Sequence, residues 1–164
     1  MNGLWQPDNP LAFLVILAIA AAPIGEVRAS IPVAIILYKM SWYEAFFWSF
    51  LGNVLVIPIL WMALPYGEIL VRKIPVGNRA LNWVFARTRR KHSEKVERYE
   101  EAFLVLFVGI PLPATGVWMG GLITYLFGLT KRKAWPFMAL GILLSCTVVT
   151  VLVVSLEYSF GIGP

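Results

Sequence analysis

Charge is scarce in this chain. Acidic and basic residues together make up 14% of 164 positions, whereas 59% are hydrophobic. A soluble domain of this length cannot hide so much apolar surface, so the solvent has to be largely lipid. Cysteine is scarcer still. The single Cys146 lies inside an apolar run and excludes an internal disulfide. The single His92 sits among charged residues and reads as a solvated surface group. No Ser/His/Asp set, no metal-spaced His/Cys cluster and no phosphate-binding Gly-Lys loop occurs. The expectation is a non-enzyme with no cofactor and no metal. Uphill work by such a chain would draw on an ion gradient rather than on ATP. A basic leader region is missing too, because no Lys or Arg precedes Arg28. The small residues from Ala18 to Pro23 resemble a cleavage site, but Pro23 would follow the cut, so the segment reads as retained.

What is present is four apolar stretches in one membrane domain. Trp42 to Pro65 and Ala134 to Tyr158 are each about 24 residues long, enough at about 1.5 Å per residue to cross a hydrocarbon core of about 30 Å. Aromatic residues bracket both, as expected at headgroup level. The other two stretches are interrupted. Residues 11–39 carry Pro23, Gly25, Glu26, Arg28 and Pro32 at their middle; residues 101–130 carry Pro111, Pro113 and Gly116. Each arm holds only about 8 to 12 apolar residues, or about 12–18 Å of helix, too short to span. Two charges at mid-membrane on one continuous helix would cost about 2.5–3.5 kcal/mol each on insertion scales. A chain that dips in and returns avoids that cost if its tip lines a cavity.

The positive charges are clustered. Nine basic residues lie between Arg72 and Arg98, and Lys131, Arg132 and Lys133 follow the second broken stretch. If that stretch returns, all twelve face one side, as the positive-inside tendency prefers. The expected fold is therefore all-α and integral to the cell (inner or plasma) membrane, multi-pass, with both termini outside. Residues 11–65 form the first repeat, with a re-entrant hairpin at 11–39 and a spanning helix at 42–65. Residues 101–158 form the second, with a hairpin at 101–130 and a spanning helix at 134–158. A shift of 89 positions aligns the two, placing Gly52 on Gly141 and Leu55 on Leu144. Each unit crosses once, so the repeats are inverted, a transporter plan with its site near the midplane.

The cytoplasmic linker, 66–100, is expected to be helical after Asn78. Its apolar face of Ala80, Leu81, Val84 and Phe85 suits an anionic leaflet. Glu94 and Arg98 form an expected i,i+4 surface pair of little weight. The localised charge excludes a general nucleic-acid footprint. The expected partners are the bilayer, protons, an amphiphilic substrate and further copies of the chain. Two spanning helices shield two polar tips poorly, so a homo-oligomer is expected, packed through Gly120 and Gly121.

Glu26 and Arg28 are the first candidates for chemistry. Glu26 could exchange a proton with a cavity, and Arg28 offers a fork of donors suited to phosphate or carboxylate. The competing reading is that the two neutralise each other and only hold the tip. Thr115 either caps a half-helix or faces a ligand, with capping preferred. Asn53, polar in a spanning helix, either bonds the first tip or touches substrate. Pro23, Pro32, Pro111, Pro113 and Gly116 are read as tip structure.

These motifs carry a resemblance. PIGEVRASIPVAI, WYEAFF, LGNVLVIP and FVGIPLPATGVWMGGLI, followed by a basic triplet, resemble the small multi-drug export proteins over about Leu11 to Val154. Ala29 and Ala114 stand where that family often has glycine. Its re-entrant plan looks like that of the DedA/VTT superfamily, whose members move or scramble lipids, including polyprenyl-phosphate carriers. The resemblance implies roles for Glu26, Arg28, Pro32, Asn53, Pro111, Pro113 and Thr115. The leading expectation is a proton-coupled secondary transporter or flippase for an amphiphile such as a lipid phosphate. Two alternatives are proton-coupled export of cationic drugs and a non-transporting membrane scaffold.

Overall fold

A computed structural model describes residues 10–88, 94–112 and 115–160. Among these the regular structure is helical, with no strand. Seven helices follow one another: α1 Pro10–Ala21, α2 Glu26–Pro32, α3 Trp42–Arg72, α4 Pro75–Thr88, α5 Glu94–Gly109, α6 Val117–Phe127 and α7 Lys131–Phe160. A π-helical turn, Val33–Leu37, continues α2.

Helices α3 and α7 are long and apolar enough to cross a membrane. At about 1.5 Å per residue, the 31 residues of α3 extend about 46 Å. The helix starts where Glu44 accepts the Ser41 backbone N–H at 3.1 Å and the Ser41 hydroxyl, a capping box that occupies donors left over at a helix start. It continues past Pro65, where the sequence pattern had ended it, as far as Arg72. A proline costs one intrahelical bond, but the turns beyond it are held by the Arg72–Glu68 pair at 2.6 Å, four residues apart. Arg72 also lies in the last turn, where the helix dipole favours a cation. Likewise α7 starts at Lys131, ahead of the expected Ala134.

The two long helices run antiparallel. At one end Trp42 and Phe46 of α3 line a cleft with Thr150 and Val154 of α7. At the other end the Lys131 ammonium donates to the Trp61 carbonyl at 3.0 Å. Lys131 to Lys133 and Arg72 to Arg79 therefore share one end of the bundle. The outward faces remain apolar. Phe47, Leu55, Ile59 and Met62 on α3, with Leu140, Leu144, Val151 and Leu152 on α7, are 39% to 71% exposed. So many large uncovered apolar side chains fit a lipid solvent.

The short helices pack beside the long ones. Helix α1 runs alongside α3, with Phe13 and Trp48 rings 5.1 Å apart. Close approach is possible because Gly52 faces the Leu17 carbonyl, 2.7 Å from where a Cβ would stand. Gly141 does the same for α5 on α7, facing the Val105 carbonyl and Val108. Helix α2 returns beside α3, fixed by a buried Ser30–Ser49 hydroxyl bond of 2.7 Å. Helix α6 crosses to α3, where Gly121 packs on Leu60, while Gly120 packs on Val108. Both glycines are spent inside the chain, so the expected oligomer contact through them is corrected. The reason is steric: α6 must lie flush against α3 and α5 together.

The linker helix α4 also turns differently from the expectation. Leu81 and Phe85 lean inward, and the Phe85 ring meets Tyr125 edge-on at 6.4 Å. Val76 and Trp83, at 77% and 63%, are its exposed large apolar groups, and Ala80 is exposed as expected. The side chains of Val84, Glu94 and Arg98 lie outside the described residues, as does His92.

Candidate functional site

The interruptions between α1 and α2 and between α5 and α6 meet at the middle of the bundle. The first, Ala22 to Gly25, exposes Pro23 and Ile24. It ends at Glu26, whose φ of 48° is left-handed, a conformation that a glutamate adopts only when its surroundings hold it. The second begins where α5 stops at Gly109, ahead of Pro111, and ends at Gly116, φ 111°. Pro113 lies outside the described residues. Pro32 is placed elsewhere than expected. It sits inside the helical run that returns from the first interruption, seven residues in. Lacking an N–H, it frees the Arg28 carbonyl one turn earlier and is followed by the π turn.

Arg28 ties the two tips together. Nη1 donates to the Leu112 carbonyl, and Nη2 donates to the Thr115 carbonyl at 3.1 Å and to Glu26 Oε2 at 3.2 Å. A guanidinium presents several donors in one plane, which a lysine cannot reproduce. Glu26 is buried against the start of α6, where Oε1 accepts the Trp118 N–H at 3.4 Å. The first backbone donors of a helix lack partners within it, and its dipole is positive there, so a carboxylate fits. A Cβ on Gly116 would run into the Glu26 carboxylate, which makes glycine a requirement on two counts. Tip two reaches back as well: Trp118 Nε1 donates to the Ala21 carbonyl at the end of α1, at 3.1 Å.

Thr115 does not cap the returning helix, whose N-cap position is Gly116 with no side-chain bond; it folds back within the second interruption instead. Its hydroxyl lies 2.8 Å from the Ile110 carbonyl and 2.7 Å from that of Leu112, at the finish of α5. Asn53 bonds within its own helix, Nδ2 to the Ser49 carbonyl at 3.2 Å. It is buried and faces a tight junction with Glu26, Gly116, Ile142 and Ser145, which leaves no room for water.

A cleft of about 510 Å³ opens on this junction, lined by Pro23, Ile24, Glu26, Arg28, Thr115 and Trp118, among others. Arg28 has 24% of its side chain exposed, against 4% for Glu26. The charge that the cleft presents is therefore the guanidinium, with the carboxylate sealed behind it. The walls are mostly apolar, so the arrangement suits a molecule with one charged end.

Sequence reasoning brought out Glu26, Arg28, Thr115, Asn53 and Gly116, and the fold gathers all five at this junction. It missed Trp118, although a tryptophan two residues after the tip glycine was a visible signal. It missed the Ser30–Ser49 pair and Ser145, lone hydroxyls in apolar helices. It missed a cluster at the basic end as well. There Tyr125 bonds Glu68, and Arg72 reaches Asn78 and Asn82, both at 2.9 Å, while standing 5.8 Å over the Phe85 ring. No group of three or more His, Cys, Asp or Glu able to hold a metal occurs among the described residues.

No curated protein and no solved structure matches the chain. A family model with the description "Putative small multi-drug export protein" matches residues 26–148, from the buried carboxylate of the first tip to well inside α7. That match takes in both halves of the junction and three quarters of the chain, and the chain belongs to this family.

Proposed function

We propose that the chain is a secondary transporter of the cell membrane in which two re-entrant hairpins, α1–α2 and α5–α6, meet at mid-membrane between inverted repeats. Three features support this plan. The long helices are antiparallel, and the basic clusters share one end of the bundle. The close contacts at Gly52 and Gly141, 89 positions apart, repeat from one half to the other. The polar, irregular backbone is confined to the junction, as lipid demands. The basic linker then lies in the cytoplasm and both termini outside, and the chain works as a homo-oligomer that shields the cleft from lipid.

The substrate is an amphiphile with an anionic head, moved in the manner of a flippase, and a lipid phosphate such as a polyprenyl phosphate is the class that fits. The observation that carries this reading is the unequal exposure of the ion pair, with Arg28 toward the cleft and Glu26 behind it. Arg28 would leave its carbonyl partners for the head group, and the charge uncovered at Glu26 would then be neutralised by a coupling cation, a proton in the simplest case. The family description names multi-drug export and so favours a second reading; taken as export of small cationic compounds, it would have Trp118 offer its ring and Glu26 its charge.

Purified protein in liposomes tests the choice. Flux of a labelled anionic amphiphile should fall at least tenfold in Arg28→Ala and also in Arg28→Lys, which keeps the charge without the fork. Undiminished flux in both removes the anionic reading. Efflux of a cationic dye, abolished by Glu26→Gln and untouched by Arg28→Lys, would instead establish the second.

A further inference from the structure

Helix α4 has two opposite faces. Asn78, Asn82 and Phe85 share one, at helical spacing, and all three close on the Arg72 side chain at the end of α3. Half a turn away, Val76, Ala80 and Trp83 repeat that spacing and are exposed, as is Ile74 just ahead of the helix. Lys73, next to Ile74, and Arg79, on the flank of the stripe, are exposed too. The 31 residues of α3 extend about 46 Å, against about 40–45 Å for a bilayer with its headgroups. A span that starts at an interfacial Trp42 therefore ends among the opposite headgroups, and α4 follows at that level. Water does not suit the apolar stripe, and hydrocarbon does not suit the cations beside it. The boundary between the two suits both, and acidic headgroups supply the counter-charge.

We propose that α4 is seated on the leaflet by its Val76, Ala80 and Trp83 stripe, and that the partner it selects is an acidic phospholipid whose net negative head meets Lys73 and Arg79. This face is opposite to the one the sequence pattern offered, because Leu81 and Phe85 are turned into the chain. Through the contact of Phe85 with Tyr125 the same helix braces α6. The lipid that holds α4 thus also steadies the returning arm of the second interruption. The inference requires the long helices to cross a bilayer and uses no step of the transport reading.

Spin labels at Val76→Cys, Ala80→Cys and Trp83→Cys, each in the Cys146→Ala protein, report what covers the stripe. In nanodiscs of mixed phosphatidylglycerol and phosphatidylcholine, all three should collide with oxygen severalfold more than with a water-soluble nickel chelate. In phosphatidylcholine alone that ratio should fall by half or more. Adding Lys73→Gln and Arg79→Gln should lower the ratio in the mixed discs to the same level. Labels open to the nickel chelate in the mixed lipid overturn the seating. Labels shielded from both reagents put a second copy of the chain on the stripe and overturn it as well. A ratio that ignores lipid charge overturns the choice of an acidic lipid. Thermal unfolding gives a readout without labels. Phosphatidylglycerol should raise the midpoint of the native protein by several degrees, and that of the Lys73→Gln, Arg79→Gln protein by less than half as much; equal shifts count against the site.

Discussion

Gly116 shows how much one missing side chain can determine. Its φ of 111° is closed to most residues, and a Cβ there would meet the Glu26 carboxylate. Gly116→Ala should therefore cost about 1–3 kcal/mol of stability and loosen the carboxylate from α6. Gly67, inside α3, has nothing within 4 Å of its absent Cβ. Gly67→Ala should stabilise by about 0.4–1 kcal/mol through the unfolded chain. Thermal unfolding in detergent measures both, and a Gly116→Ala protein as stable as Gly67→Ala would contradict the tip geometry. Thr115 acts at the same scale. Its hydroxyl serves the Ile110 and Leu112 carbonyls, so Thr115→Val should lose about 0.5–1.5 kcal/mol while Thr115→Ser keeps most of it.

Between elements, contact depends on where backbones can approach. At Gly52 the neighbour is a carbonyl of α1, which cannot swing aside as a side chain could. Gly52→Val should push α1 off α3 and cost about 1–3 kcal/mol or more, as overpacking does. Native-like unfolding of that variant would mean that α1 is not seated as described. The other joint lies at the basic end, where Tyr125 on α6 bonds Glu68 on α3, and Arg72 carries the link onward to α4. A double-mutant cycle on Tyr125→Phe and Glu68→Gln should show a coupling of about 0.5–3 kcal/mol. Additive single effects would mean that the two groups stabilise their helices separately.

Across the whole molecule the question is which ends face which side. A Cys146→Ala background removes the one native thiol, which is buried in α7. Single cysteines at positions 39, 73 and 131 can then be labelled in sealed vesicles with an impermeant reagent. Positions 73 and 131 should react from one side and position 39 from the other. Labelling of 39 and 131 from the same side would dismantle the inverted plan and the transport reading with it. The mass of the purified particle settles the oligomer. An oligomer contact, if the mass shows one, has to use surfaces other than Gly120 and Gly121, which α3 and α5 already cover.

Much of this was legible in the chain itself. Apolar runs long enough for a bilayer fixed α3 and α7, because lipid tolerates few charges and requires internally bonded backbone. Prolines and glycines marked where the other two runs break, since they withhold donors or permit conformations that end a helix. The rare charges in those breaks, Glu26 and Arg28, named the site for the same energetic reason. Distance along the chain hid the rest. That Arg28 closes on the carbonyls of Leu112 and Thr115, 84 and 87 positions away, depends on how α2 and α6 cross between the long helices. Carbonyls belong to every residue and leave no mark in a sequence, so only packing decides which of them converge on one guanidinium. Packing likewise turned Phe85 inward, spent Gly120 and Gly121 within the chain and sealed Glu26 behind Arg28, because each depends on which distant elements the fold brings against that surface.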